Sequence, residues 1–390
     1  MATIDLEELY KKYQGYYQPQ TQVFLGGTDV MEFKKFKVRP VDFTVELTSD
    51  LKASIASFSL LGAFDVQGGG FRSGDLKNLI AIGTDVQIFM GHAADVTEVF
   101  KGYVAGVDFI YQGVQASDSV IRLTCLDIKG VMMANNYSKR LKANYYSDAV
   151  KEIFDGAVYQ SLQNSGAVSS ISIADTPDKP PGGAPAGGGT GTPDIRIEMA
   201  AESDYDFVVK AAKRFNFEFF SVGGNVVFRK AKLNTQSLGT ITPHSSIISF
   251  DIGYDITGVV EEVAVRTLDI GKGSKIEVKK KNGGNLSIGS KAKPLISGQS
   301  YVYIDSAIES QADADARANY ILEDMAYRLG RLRMTFKGIP EFVPGRFITL
   351  KGFGAAASNT FYITDVIHEY YGNSGYITTI EGKASSILKN

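Results

Sequence analysis

The chain has 390 residues, 44% hydrophobic and 22% charged, and its 41 Lys+Arg against 43 Asp+Glu leave a formal charge of −2. This composition excludes a disordered chain and gives no electrostatic basis for an avid grip on nucleic acid or anionic lipid. No apolar run reaches the ~18 residues of a membrane-spanning helix, and one cysteine, Cys125, excludes an intramolecular disulfide framework or a zinc site of paired cysteines.

The N-terminal MATIDLEELYKKYQGYY lacks a basic segment followed by an apolar one, so no secretory signal is expected and folding in the cytosol is. Ile4, Leu6, Leu9, Tyr10 and Tyr13 mark one helical face of an arm over residues 1–25. From 26 to 136 the pattern changes to short strands. Phe43–Thr48 alternates apolar and polar with period 2, and Val86–Met90, Tyr103–Tyr111 and Val120–Leu126 are similar. Residues 137–240 read as an inserted α+β segment. Ser147 is the expected N-cap of a helix carrying Val150, Ile153 and Phe154, and residues 177–193 form a Pro/Gly-rich loop. Ser203 and Asp206 make a capping box opening a second helix, followed by a hairpin over Phe217–Val222, Gly223-Gly224 and Val226–Phe228. Strands return over 241–390, interrupted by a helix over 307–329 whose expected cap is Ser306 with Glu309. Forty-one glycines and 43 Phe and Tyr fit a mainly β (α+β) chain of many turns and aromatic strands.

The two strand-rich ends share a spacing. Tyr103, Val107, Tyr111 and Gly113 recur 259 positions later as Tyr362, Val366, Tyr370 and Gly372, and Gly83–Ile88 resembles Gly345–Leu350. Any two antiparallel hairpins alternate alike, which is one account. The other is two copies of one antiparallel barrel with the middle segment inserted between them; residues 83–127 and 345–382 should then superpose, and closure would remove exposed strand edges.

No catalytic, cofactor-binding or metal-binding residue stands out in the sequence, and no cofactor is expected. His92 falls after a strand, His244 in a loop and His368 within a strand, none with a second histidine at ligand spacing. Cys125 is in phase with Ile121 and Leu123 and points into the core. Gly187–Pro193 has no lysine and ends in proline, so it is no phosphate cradle, and Lys279–Lys281 before Asn282-Gly283-Gly284 is expected at a solvated hairpin tip. Paired carboxylates of a hydrolase could come from distant strands, and nothing singles out a pair.

The order of parts resembles the baseplate hub proteins of contractile phage tails, the late control gene D group, related to the hub portion of VgrG spikes. Three passages carry the likeness: Phe100–Val104 through Leu123–Asp127; Ala201–Phe207 with its helix and the Phe217–Phe228 hairpin; and the helix 307–329 with Gly338–Gly345 and Tyr362–His368. The resemblance implies two tube-type antiparallel β-barrels per chain and a homotrimer that adapts a hexameric tail tube to a trimeric central spike, without enzymatic activity. It further implies contacts with tail tube, spike and other baseplate proteins, with the tape measure protein as a further candidate. Assembly in the bacterial cytoplasm and a place in the virion tail or tail-like particle follow, with no specific nucleic acid binding and no membrane insertion. The sequence ends soon after the last expected strand, so the spike is expected as a separate protein. A carbohydrate-binding, adhesive tail-tip protein and a cell-wall hydrolase are the alternatives.

Overall fold

The computed structural model describes residues 4–36, 38–65, 68–111, 119–179, 197–234, 236–269, 273–284, 286–305, 308, 310–355, 357–372 and 375–387. The arm is helix α1 (Leu6–Lys12), opened by Asp5, whose Oδ1 accepts from the Glu7 and Glu8 amides at 2.9 and 3.2 Å. Glu7 and Glu8 at its start and Lys11 and Lys12 at its end complement the helix dipole. Then come β1 (Pro19–Leu25), β2 (Thr28–Asp29), α2 (Phe33–Phe36), β3 (Arg39–Thr48), β4 (Ile55–Leu61), β5 (Phe64–Asp65), β6 (Gly70–Phe71) and α3 (Gly74–Leu79). The first strand-rich region closes with β7 (Asp85–His92), β8 (Asp95–Tyr111) and β9 (Ser119–Leu126).

The middle of the chain holds α4 (Ile128–Met132), β10 (Tyr137–Arg140), α5 (Tyr146–Phe154), α6 (Ala157–Ser165), β11 (Ser170–Ile173), β12 (Glu198–Glu202), α7 (Asp204–Phe215), β13 (Phe217–Val222) and β14 (Asn225–Lys230). The Ser203–Asp206 capping box forms as expected. Ser147, in contrast, is buried inside α5; Tyr145 precedes the helix, and the Ser147 amide donates to Thr176 Oγ1 at 2.9 Å. Most of the 177–193 loop lies outside the described residues. This region has its own core, in which Phe207, Val208, Ala211 and Ala212 of α7 meet Phe219 and Phe228 of the hairpin and Val150 and Ile153 of α5.

Next follow β15 (Ser237–Ile241), β16 (Ile247–Tyr254), β17 (Glu262–Asp269), β18 (Ser274–Lys281), α8 (Lys293–Ile296), β19 (Ser300–Ile304) and α9 (Gln311–Ala326). The last strands are β20 (Gly330–Lys337), β21 (Phe347–Leu350), β22 (Thr360–Tyr371) and β23 (Gly375–Ala384). Helix α9 begins later than expected because Ser310 caps it, accepting from the Asp313 amide at 3.1 Å; the expected cap residues Ser306 and Glu309 are outside the described set. Val263, Val265, Ile276 and Val278 of the small sheet β18-β17-β19 pack on Ala314, Ala318 and Leu322 of α9, a third core within the second strand-rich region.

Thirteen strands form one sheet in the order β16-β20-β23-β22-β3-β4-β9-β8-β7-β1-β2, with β21 on β22 and β15 on β21, while β5-β6, β10-β12 and β11-β14-β13 form small separate sheets. The fold is mainly β, as read from sequence. The strands expected of two barrels form two sets, β3-β4-β9-β8-β7-β1-β2 and β16-β20-β23-β22-β21-β15, joined through β22 and β3. No ladder closes either set among the described residues. A single hydrophobic core underlies both sets and the arm.

The two sets are built alike. Gly83 donates to the Val104 carbonyl at 2.8 Å and Val104 donates to that of Thr84 at 2.8 Å; Gly345 donates to Ile363 at 2.9 Å and Ile363 to Arg346 at 2.8 Å. Both glycines have positive φ, 91° and 79°. The β8–β9 ladder carries a bulge between Val104 and Gly106, and β22–β23 carries one between Ile363 and Asp365, 259 positions on. Beyond the bulge Val107 pairs with Leu123, and Val366 with Ile380. A bulge re-aims a strand and reverses which face it presents, so alternation by chance does not produce the same defect at the same register position. One difference stands: β1 joins β7 antiparallel, while β15 joins β21 parallel.

Candidate functional site

Cys125, His92 and His368 are buried. Cys125 is fully buried, and burial pushes its thiol up to about 12. His92 and His368 come together around Tyr376: the His92 ring stacks on it at 5.5 Å, and Tyr376 Oη lies 2.9 Å from His368 Nδ1. Burial holds His92 below its ordinary value and brings His368 down to about 3, so His368 is neutral and enclosed near pH 7. His92 Nε2 donates to the Gly338 carbonyl at 2.8 Å. His244 turns its Nδ1 to Ser246 and its Nε2 to Glu7 of the arm, at 2.8 and 3.5 Å.

Lys279–Lys281 are not at a hairpin tip. They lie in β18 opposite Glu262–Ala264, at the end away from the β17–β18 turn; Lys280 meets Asp315 of α9 at 2.6 Å and Lys281 meets Glu261 at 3.7 Å. The asparagine-glycine pair after them marked a turn in sequence, but β18 pairs backward along β17.

Sequence reasoning missed the buried polar ties between regions. Asp204, at the start of α7, accepts from Tyr137, from Tyr159 Oη at 2.6 Å and from Asn135 Nδ2 at 2.7 Å. Glu218 pairs with Arg229 at 2.6 Å and accepts from Tyr362, tying β13 to β22. Lys129, fully buried, donates to the Asp50 and Lys52 carbonyls at 3.0 and 2.7 Å, and burial lowers its pKa. Lys12 and Tyr13 of the arm both reach Glu341 Oε1, at 2.8 and 2.6 Å. Each of these groups has a protein partner, while Glu341 Oε2 is buried without one. An open groove of 740 Å³ runs beside α9, lined by Phe215, Phe217, Leu322, Asp315 and Glu323. Among the described residues no three His, Cys, Asp or Glu side chains are grouped to hold a metal, and no helix is long and apolar enough to cross a membrane.

Large apolar side chains lie exposed on open strand edges. Among the described residues β16 has β20 as its one neighbour, and its Ile248 and Phe250 are 54% and 49% exposed. Beyond Val104, β8 is paired with β9 alone among the described residues, and Phe109 and Tyr111 are 58% and 46% exposed. Neither stretch carries a proline or lysine to blunt it. Unpaired backbone beside large apolar side chains is a template for another strand. Phe109 and Tyr111 are in phase with core residues of their strand, so alternation alone gives them no sign of exposure.

Residues 194–371 match the Alg8 N-terminal domain family. That stretch starts ahead of β12 and stops with β22, leaving out β23, which β22 pairs with along its length. No curated protein matches the sequence. Among solved structures, the fold is similar to a tail protein from Neisseria meningitidis MC58 at 12% identity and TM-score 0.64, covering 95% of this chain and 98% of that one. It is also similar to the 43 kDa tail protein of prophage MuSo2 from Shewanella oneidensis, at 11% identity and TM-score 0.65, covering 95% and 100%. A third is the E. coli c3393 protein, described as a type VI secretion component structurally similar to T4 tail proteins gp27 and gp5, at 9% identity and TM-score 0.55, covering 94% and 79%.

Proposed function

We propose that the chain is a structural component of a contractile tail or tail-like injection device, the baseplate hub, acting as a homotrimer. Its role is symmetry adaptation with no bond made or broken. Two similar strand sets per chain let three chains present six similar positions to a hexameric tail tube, while the dissimilar parts of each chain give the other face threefold symmetry for a central spike. The carrying observation is the duplicated strand set, with the same bulge and the same glycine hydrogen bond in each copy. The likeness in fold to tail proteins of two bacteria supports the setting.

Tail tube, spike and other baseplate proteins are the partners on this reading, and the tape measure protein is a further candidate. Assembly takes place in the bacterial cytoplasm, and the protein ends in the particle's baseplate. Sedimentation and light scattering test the proposal. A mass of three chains, with co-assembly on mixing with tube or spike protein, is expected; a monomer that joins neither would overturn it.

A further inference from the structure

The duplication has one junction made within the chain and its counterpart left open. Inside the chain, Asp365–Tyr370 of β22 pairs antiparallel with Thr48–Phe43 of β3, with Val366 opposite Leu47, His368 opposite Val45 and Tyr370 opposite Phe43. The repeat fixes which residues correspond. Val104 pairs with Cys125 and Ile363 with Gly382; Cys125 pairs with Ala56 and Gly382 with Leu332; Ala56 pairs with Val45 and Leu332 with Ile252. Val45 therefore corresponds to Ile252 and Phe43 to Phe250, while β22 beyond its bulge corresponds to Gly106–Tyr111. These counterparts are the open stretches of β16 and β8, and they belong to different sets. Within the chain, β22 and β3 already occupy the matching junction.

We infer that β16 of one copy pairs antiparallel with Gly106–Tyr111 of a second copy, in the register Tyr254 to Val107, Ile252 to Phe109 and Phe250 to Tyr111. Side chains fit this occupant. The internal junction sets the Tyr370 ring edge-on to Phe43 at 6.0 Å, and the open edges offer a tyrosine and a phenylalanine at the same two positions. Asp108 falls opposite Gly253, across which Arg331 lies so closely that a Cβ on Gly253 would stand 2.5 Å from its Nε; the carboxylate then meets a guanidinium. Because the two edges differ, the contact is head-to-tail, and it closes only as a ring. The inference deepens the hub reading and rests on it for the presence of a second copy.

The test is oxidation of the full chain carrying Tyr111→Cys and Phe250→Cys, residues whose exposure lets the subunit fold; Cys125 is buried and does not compete. Facing residues of an antiparallel pair lie ~4.5–5.5 Å apart, within disulfide reach. Cross-linked multimers are expected from this pair and none from Tyr111→Cys with Ile248→Cys, two positions out of register. Separately, Phe250→Glu is expected to weaken association at least tenfold while leaving the circular dichroism of the subunit unchanged. Multimers in solution that fail to cross-link at 111 and 250 would overturn this interface and leave the hub reading standing. A monomer at every concentration would overturn both.

Discussion

His368 and Phe109 occupy the same position in the two copies of one strand, and one is 0% exposed while the other is 58%. Around His368 the chain supplies β3, Tyr376, Thr378 and the Phe342 carbonyl; beside Phe109 it supplies Phe64 and Phe71 but, among the described residues, no strand on the open edge. The backbone path, bulge and register are common to both. What differs is whether the neighbouring strand comes from the same chain. Burial at a repeat position is therefore decided by connectivity more than by residue type: a titratable histidine is enclosed, and a phenylalanine is left in solvent.

Acid is the strongest probe of that contrast. His368 has an unfolded value near 6.5 and a folded value of about 3, so the folded state excludes the proton. The associated stability is fully present above pH 6.5 and is lost as pH falls toward 3, by about 5 kcal/mol over the whole window. Denaturation at a series of pH values should show this slope, and His368→Gln should flatten it; a variant with the parent's slope would mean that other groups carry the acid response. Tyr376, Thr378 and the Phe342 carbonyl are the groups that face this histidine, and none supplies a compensating negative charge near neutral pH.

Phe43 and Phe250 give the next contrast. Phe43 is fully buried, stacked on Phe58 at 5.4 Å, and Phe43→Ala is expected to cost about 3–5 kcal/mol in urea unfolding. Phe250→Ala, at the open counterpart, should cost the isolated subunit less than about 1 kcal/mol. Equal losses at both positions would erase the distinction between a made and an unmade junction.

The smallest effect separates the two glycines. Both need positive φ, so alanine at either costs roughly 1–2 kcal/mol of backbone strain. At Gly345 an added Cβ would also stand 2.6 Å from the Phe220 ring, whereas at Gly83 it meets nothing within 4 Å. Gly345→Ala should therefore lower the melting temperature by more than Gly83→Ala; the reverse order would show that the β13–β14 hairpin yields more readily than its packing suggests.

Much of this architecture was legible in the sequence. Period-2 alternation located β3, β7, β8 and β9, because a half-buried strand must alternate whatever lies beside it. The Ser203–Asp206 box located α7, because its hydrogen bonds are local. The 259-residue spacing exposed the duplication, since equivalent bulges and turns demand equivalent residues. Tertiary structure decided the rest. Ser147 looked like a cap, but the fold turned α5 so that its amide meets Thr176, a residue 29 positions away. Joining of the two sets through β22 and β3 depends on which edges meet in space, and edges carry backbone groups that every sequence possesses. Alternation fixes the face a side chain takes; only the assembled neighbours determine whether that face is covered.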